Sequence, residues 1–121
     1  MAEYANDMDK ECVVLCDAIN RIPGLRTIES CCGHGHHNFT VYFKVTTLEH
    51  LPILLYYISA CHVGFTWDCR VYTDCGMNPV YFMIESRSFG ENAYNESSVI
   101  AQKINKYMTQ YPGGLNKKRD E

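Results

Sequence analysis

Apolar and polar residues alternate along the chain with two periods, one typical of a helix and one typical of a strand. Helical spacing predicts three helices, over residues 7–21, 48–61 and 96–111. Two-residue alternation predicts four strands, over residues 25–30, 39–45, 65–73 and 80–86. The order helix-strand-strand, helix-strand-strand, helix predicts an α+β fold, in which a mostly antiparallel four-stranded sheet is packed with three helices.

Proline and glycine mark the ends of these elements. Pro23-Gly24 ends the first helix, and the run 112–114 ends the last one. Pro52 falls near the start of the second helix, where its missing N–H costs little, so the regular part of that helix is expected to begin near Leu51. The polar segment over residues 88–95 predicts a loop before the third helix.

The composition fits one small globular domain. The chain has 121 residues, 46% of them hydrophobic, and we expect a single ligand-binding domain over 1–121 with a flexible tail over 115–121. A formal net charge of −3 argues against binding to long nucleic acid. No apolar run reaches the roughly 18–20 residues of a membrane span, so no membrane partner is expected. Seven cysteines without a secretory signal predict reduced thiols in a cytoplasm.

The segment 29–38 is unusually rich in thiol and imidazole groups. Adjacent residues of an extended chain point to opposite faces, so only one of its two neighbouring cysteines can join the histidines. Zinc ligands from this loop and from later in the chain would be Cys31, His34 and His36, completed by Cys69 or Cys75. Three alternatives stay open: the thiols pack as small apolar groups, glycine-freed N–H groups bind an anion, or a thiol and an imidazole form a nucleophile-base pair.

A second candidate region joins the last strand to the last helix, over residues 85–95. Arg87 and Asn92 offer a cation and an amide just before a helix N-terminus, where free N–H groups bind anions. Phe82, on the preceding strand, could stack on a base. The simpler interpretation is that these polar residues are solvated and only cap the helix.

Arginine and tyrosine residues of the predicted strands indicate a further surface. Arg26, Arg70 and Arg87 lie on or beside strands, where a planar guanidinium can hold a phosphate through two hydrogen bonds. Opposite the main apolar strand faces stand three tyrosines, namely Tyr42, Tyr72 and Tyr81. Because tyrosine is enriched at protein contacts, a subunit interface is the favoured interpretation, and stacking on a ligand is the alternative.

Two short runs of sequence resemble a known family. Residues 22–27 read I-P-G-L-R-T, residues 30–35 read S-C-C-G-H-G, and an aromatic strand follows. This order resembles the small phage-encoded Thoeris anti-defence sponges of the first type. Such proteins bind cyclic ADP-ribose-type signals made by bacterial immune enzymes and sequester them without degrading them, and some also bind cyclic oligonucleotides. The resemblance covers most of the chain, and S-C-C-G-H-G is its most specific part.

This resemblance implies a function and a set of ligand contacts. It implies a non-enzymatic protein that needs no cofactor and works in the cytoplasm of an infected bacterial host. It also implies a homodimer or higher homo-oligomer with ligand pockets at subunit boundaries. By carry-over, Phe82 would contact the base, Asn92 would hydrogen-bond to the ligand, and Arg26 would contact phosphate at an additional nucleotide site. Arg87 and Arg70 are added from their own positions rather than from a family motif.

The same loop leaves two other functions open. Its S-C-C-G-H run is similar to the S-x-S-S-C-S-G-R element of wybutosine-pathway methyltransferases, which modify tRNA. His34 stands where that element has arginine, the chain is short for that family, and the broad basic surface that tRNA requires is missing. The remaining alternative is a zinc-binding module built on the cysteine–histidine loop.

Overall fold

The fold combines three helices with one sheet in the residues that the computed structural model describes, which are 9–59, 67–72 and 81–114. The helices are α1 (Lys10–Asn20), α2 (Leu51–Tyr57) and α3 (Glu91–Gln110). The strands are β1 (Leu25–Cys31), β2 (Asn38–Val45), β3 (Trp67–Tyr72) and β4 (Tyr81–Phe89). This element order confirms the predicted α+β fold, while the expected tail over 115–121 lies outside the described residues.

The four described strands form a single sheet in the order β1-β2-β4-β3. Each neighbouring pair is antiparallel, so the sheet is antiparallel throughout. On the interior strand β2, the alternate residues Phe39, Val41 and Phe43 are fully buried, as a period of two requires. The opposite side of the sheet, which we call the open face, carries Arg26, Tyr42, Lys44, Arg70, Tyr72, Tyr81, Glu85 and Arg87.

Helices α1 and α3 pack against the buried face of the sheet. Their buried residues recur at helical spacing, with Cys12, Leu15, Cys16 and Ile19 on α1, and Ile100, Ile104 and Met108 on α3. Two hydrogen bonds join the end of α1 to β1: Asn20 Nδ2 donates to Thr27 Oγ1 at 2.9 Å, and the Thr27 N–H donates to Asn20 Oδ1 at 2.8 Å. These bonds orient Thr27 towards the helices and therefore turn its neighbour Arg26 to the open face.

The third helix begins five residues earlier than its apolar spacing predicts. Its first residue is Glu91, directly after Gly90, whose φ of 68° lets the chain reverse from strand to helix. The first buried positions of this helix are Ala93 and Ser97, small residues that the apolar pattern does not reveal. The predicted loop over 88–95 is therefore mostly strand and helix.

The second helix is shorter than predicted. Leu48–His50 forms a single turn of 3₁₀ helix, and the α-helix starts at Leu51 with Pro52 in its first turn, as the sequence indicates. It ends at Tyr57 rather than at residue 61, which lies outside the described residues.

Candidate functional site

The loop after β1 is a tight turn of left-handed backbone. Gly33, His34 and Gly35 have φ angles of 83°, 52° and 81°. Glycine adopts such angles without strain, whereas a residue like His34 does so at a cost of about 1–2 kcal/mol. A side chain on Gly33 would also meet the carbonyl oxygen of Asn38 at 3.1 Å. The turn brings the His34 imidazole back towards Cys32, two residues earlier, so that His34 Nδ1 lies 3.8 Å from Cys32 Sγ.

Three side chains that can bind metals meet at this turn, and we call them the Asp9–Cys32–His34 cluster. Their donor atoms all lie within 4.8 Å of one another. Asp9 Oδ2 accepts a hydrogen bond from the Cys32 N–H at 3.0 Å and lies 3.8 Å from His34 Nε2. Cys32 Sγ accepts from the His34 N–H at 3.4 Å and from the Tyr94 hydroxyl of α3 at 3.8 Å. The cluster therefore joins the start of α1, the loop after β1 and the first turns of α3.

The surroundings of Cys32 favour a protonated thiol. The residue is 3% exposed, and burial raises the pKa of its thiol above the ordinary value. The hydrogen bond to Cys32 raises the pKa of Tyr94 to about 12, so this hydroxyl keeps its proton and acts as a donor. The Cys32 backbone N–H lowers the pKa of Asp9, which is therefore an anion at neutral pH. Because a buried thiol with a raised pKa is a poor nucleophile, these surroundings argue against a nucleophile-base pair.

The structure changes which residues of the loop stand together. Of the ligands that the sequence suggests and the structure describes, only His34 belongs to the cluster. Cys31 is the last residue of β1 and lies on the open face, opposite Thr40, whereas Cys32 turns towards the helices. His36 is exposed and lies outside the cluster. The other described histidines, His37 and His50, also lie outside it.

Sequence reasoning missed two members of this site. Asp9 reads as an ordinary acidic residue at a helix start, and Tyr94 reads as part of a polar loop. Neither is close in sequence to Cys32, and only the packing of α1 and α3 against the sheet brings them to it. Cys69 lies on β3 and does not join the cluster, while Cys75 lies outside the described residues.

The open face carries a second candidate site, which is built from tyrosines. Strand register aligns one row of residues across the sheet: Arg26, Lys44, Tyr81 and Tyr72. The next row on the same face consists of Glu29, Tyr42, Met83 and Arg70. Because directly opposite side chains of neighbouring strands stand about 4.5–5.5 Å apart, each row forms a continuous surface.

A depression of about 280 Å³ lies on these two rows. Its lining residues are Ile28, Glu29, Tyr42, Tyr72 and Tyr81. Tyr42 and Tyr72 meet edge to face, with ring centroids 5.6 Å apart. The strand register shifts at Ile28, so this residue is a bulge and both it and Glu29 reach the depression. Its volume is just below the range of about 300–1,000 Å³ that is usual for small-molecule pockets.

The three arginines suggested by the sequence all lie on the open face, but they differ in their partners. Arg70 Nη2 lies 3.3 Å from Glu85 Oε1, and Arg87 Nη2 lies 3.2 Å from Asp68 Oδ1. Arg26 has no hydrogen-bond or ion-pair partner in the part of the chain that the structure describes. Its guanidinium is therefore available to an anionic ligand in the row that contains two of the tyrosines.

The two residues carried over from the family resemblance lie elsewhere. Phe82 is on the helix side of β4 and stacks on Phe43, with ring centroids 5.7 Å apart and planes at 20°. Asn92 is exposed in the first turn of α3, beyond the other end of β4. The seven-residue step from Phe82 to Phe89 spans roughly 23 Å of strand. One chain therefore does not bring Phe82 and Asn92 into a common pocket.

Polar residues around the junction of β4 and α3 serve the fold. The buried Ser86 hydroxyl accepts from the Phe39 N–H at 3.0 Å and donates to the carbonyl oxygen of Ser88. The Ser88 hydroxyl donates to Glu96 Oε2 at 2.8 Å, and Trp67 Nε1 donates to Glu96 Oε1 at 3.0 Å. This network connects the inner strands β2 and β4 with strand β3 and helix α3. These polar groups are therefore used within the fold rather than offered to a ligand.

Neither the described helices nor any similarity to known proteins gives a further indication of the function. Within residues 9–59, 67–72 and 81–114, no helix has both the length and the apolar character required to cross a bilayer. No protein-family model, curated protein or solved structure matches the chain.

Proposed function

We propose that the protein binds a cyclic ADP-ribose-type or other cyclic nucleotide signal on its open face and sequesters it unchanged, which would counter bacterial anti-phage defence. The observation that supports this most directly is the tyrosine-lined depression in line with the available Arg26. The runs at 22–27 and 30–35 supply the class of ligand, because they resemble those of anti-defence sponges.

The side chains of the depression match the groups of a cyclic dinucleotide-like ligand. Aromatic rings of Tyr72 and Tyr81 offer stacking surfaces to a base, and Arg26 and Lys44, which stand in the same row beside the depression, offer donors to a phosphate. The Glu29 carboxylate can accept hydrogen bonds from ribose hydroxyls or from an exocyclic amine. Aromatic, cationic and acceptor groups thus lie along two neighbouring rows of one surface.

The magnitudes indicate that one open face is not enough for tight capture. Stacking contributes about 1–3 kcal/mol per base, and a hydrogen bond to a charged group contributes about 1.5–3 kcal/mol. Two of each give about 5–12 kcal/mol, before the costs of association are subtracted. A nanomolar dissociation constant requires about 12 kcal/mol, so a second surface is needed.

A second copy of the chain would supply that surface. The depression is open to solvent and slightly small for a complete ligand, and three tyrosines surround it. In a homodimer or higher homo-oligomer, two such faces would enclose the ligand and exclude water. This combines the interface and ligand-stacking interpretations of Tyr42, Tyr72 and Tyr81. Phe82 faces the helices, so this open-face pocket does not include the base contact that the resemblance implies for it.

The structure gives less support to the tRNA-modifying alternative. Two open-face arginines form ion pairs with Asp68 and Glu85, and these carboxylates offset the positive charge that binding of a long polyanion would need. The buried Cys32 thiol is also poorly placed to attack or to be modified.

Capture and release of intact ligand would test the proposed function. Purified protein is mixed with isomers of cyclic ADP-ribose and with cyclic di- and trinucleotides, filtered to remove free ligand, and then heated. We expect at least one ligand to be retained and released with its mass unchanged, and light scattering to show a dimer or larger assembly. Retention of none of these ligands, or release of a cleaved product, would reject the proposal.

Two substitutions would locate the site. Arg26→Ala should weaken capture roughly 10–100-fold, because it removes a charge-assisted contact. Tyr72→Ala should weaken it roughly 5–100-fold through lost stacking. The matched controls are Lys103→Ala, an exposed cation of α3, and Tyr56→Ala, an exposed tyrosine of α2. Equal capture by test and control variants would move the site away from the open face.

A further inference from the structure

The Asp9–Cys32–His34 cluster has a chemical character that the proposed ligand does not use. It combines one carboxylate, one thiol and one imidazole at the end of the sheet where β1 turns into β2. We propose that these three residues form a zinc site, with Tyr94 as a hydrogen-bond donor to the sulfur ligand. This inference is independent of nucleotide capture, since none of its residues lines the depression on the open face.

The distances within the cluster are close to those of a zinc tetrahedron. Zinc bonds of about 2.0–2.3 Å to oxygen, nitrogen and sulfur require ligand atoms roughly 3.4–3.6 Å apart. Cys32 Sγ lies 3.8 Å from His34 Nδ1, Asp9 Oδ2 lies 3.8 Å from His34 Nε2, and the three donor atoms all lie within 4.8 Å of one another. The His34 side chain is 65% exposed, so its ring can turn to present one nitrogen to a shared ion. Rotation of the ring, together with contraction of the spacing from within 4.8 Å to that of the tetrahedron, would complete a three-ligand set.

The charge and softness of the ligands select the ion. A carboxylate, a thiolate and a neutral imidazole carry a charge of −2 together, which a divalent cation balances. Sulfur and nitrogen ligands favour zinc over magnesium and calcium, which prefer oxygen. When the ion binds, a sulfur–zinc bond replaces the S–H bond of Cys32, and the proton passes to solvent.

The groups around the cluster orient its ligands. The Tyr94 hydroxyl and the His34 N–H both point at Cys32 Sγ, and the Cys32 N–H holds Asp9 Oδ2 at 3.0 Å. Outer hydrogen bonds of this kind fix ligand geometry in zinc proteins. Since the described residues supply three ligands and His34 is exposed, the fourth position faces solvent and takes a water molecule.

Metal titration of the full chain tests this site. Protein stripped with a chelator under reducing conditions is titrated with Zn²⁺ against a chromophoric chelator. We expect one ion per chain. His34→Asn and Cys32→Ser should each weaken binding more than 10-fold, and Tyr94→Phe roughly 10-fold. Asparagine tolerates left-handed backbone, so the fold of the His34→Asn variant is preserved. The matched controls are Cys31→Ser and His36→Asn, which should bind Zn²⁺ as the parent does.

Cobalt gives an independent signature of the sulfur ligand. Co²⁺ bound at the cluster should show a thiolate charge-transfer band in the near ultraviolet, retained in Cys31→Ser and lost in Cys32→Ser. The proposal is overturned if the parent protein takes up much less than one zinc per chain. It is equally overturned if His36→Asn weakens binding as much as His34→Asn, because the ion would then sit on surface histidines. Neither result bears on nucleotide capture by Arg26 and Tyr72.

Discussion

The two candidate sites of this domain are built in opposite ways. The Asp9–Cys32–His34 cluster has a buried sulfur atom surrounded by hydrogen-bond donors from α3 and from its own loop. The tyrosine-lined depression lies on the other side of the sheet and is open to solvent. Packing within one chain organises the cluster, whereas no described element of the chain covers the depression. Burial therefore favours a small ion at the cluster, and exposure favours a larger ligand or a partner at the depression.

The two faces of β2 also carry residues in different environments. Phe39 and Tyr42 are three positions apart in the chain and lie on opposite faces of the sheet. Phe39 is fully buried and packs on Trp67 and Tyr94, with ring centroids 5.4 and 6.4 Å away. Tyr42 is half-buried and faces Tyr72. A change on the buried face should thus destabilise the fold strongly, and a change on the open face should destabilise it much less.

The largest expected effect comes from Phe39→Ala. The change leaves a cavity between Trp67 and Tyr94, so unfolding should become easier by about 3–5 kcal/mol. Tyr42→Ala, on the open face, should cost only about 1 kcal/mol. Urea unfolding of both variants, followed by fluorescence or circular dichroism, measures the difference. Equal destabilisation by the two variants would remove the distinction between the faces.

A smaller effect is expected for Ser86→Ala. Its hydroxyl is the acceptor for the buried Phe39 N–H, so the change leaves that donor without its partner and should cost about 1–3 kcal/mol. Ser98→Ala, at an exposed position of α3, should stay within about 0.5 kcal/mol of the parent. Thermal unfolding of both variants gives the comparison. If Ser86→Ala behaves like Ser98→Ala, the network does not stabilise the junction of β4 and α3.

The smallest effect concerns the loop itself and has opposite signs at two histidines. His34→Gly relieves a left-handed residue, so metal-free protein should gain about 0.5–1 kcal/mol of stability. His36 has a φ of −116°, so His36→Gly brings only added chain entropy and should lose roughly 0.5–1 kcal/mol. Unfolding in the presence of a chelator measures both. A loss of stability in His34→Gly would show that the imidazole is kept for the fold rather than for binding.

The sequence carries enough information for the order of elements and for the alternation on the inner strands. Phe39, Val41 and Phe43 show a period of two because one face of β2 is buried. The hydrophobic pattern does not predict the start of α3, because the first buried residues of this helix are Ala93 and Ser97. Small side chains bury little apolar area, and the hydrophobic pattern therefore begins only where larger residues appear.

The candidate sites were only partly predictable. The residue types of the loop at 31–37 mark it as a candidate site, but the structure brings its His34 to Cys32, beside Asp9 and Tyr94, rather than to Cys31. Those contacts join segments more than 20 and 60 residues apart, and no local spacing encodes them. Alternation along a strand is a local rule, so the sequence places the three tyrosines opposite the apolar faces, whereas the presence of Arg26 on the same face follows only from the strand register.

The bulge at Ile28 determines on which face of the sheet each later residue of β1 lies. Thr27 faces the helices, and one extra residue then sends Glu29 and Cys31 to the solvent side and Cys32 inward. If Ile28 paired with Tyr42 in a regular ladder, Glu29 would take an inward position in the core and Cys32 would move to the solvent side. A change that forces Ile28 into the regular ladder would consequently disrupt both candidate sites at once, even though neither one had lost a side chain.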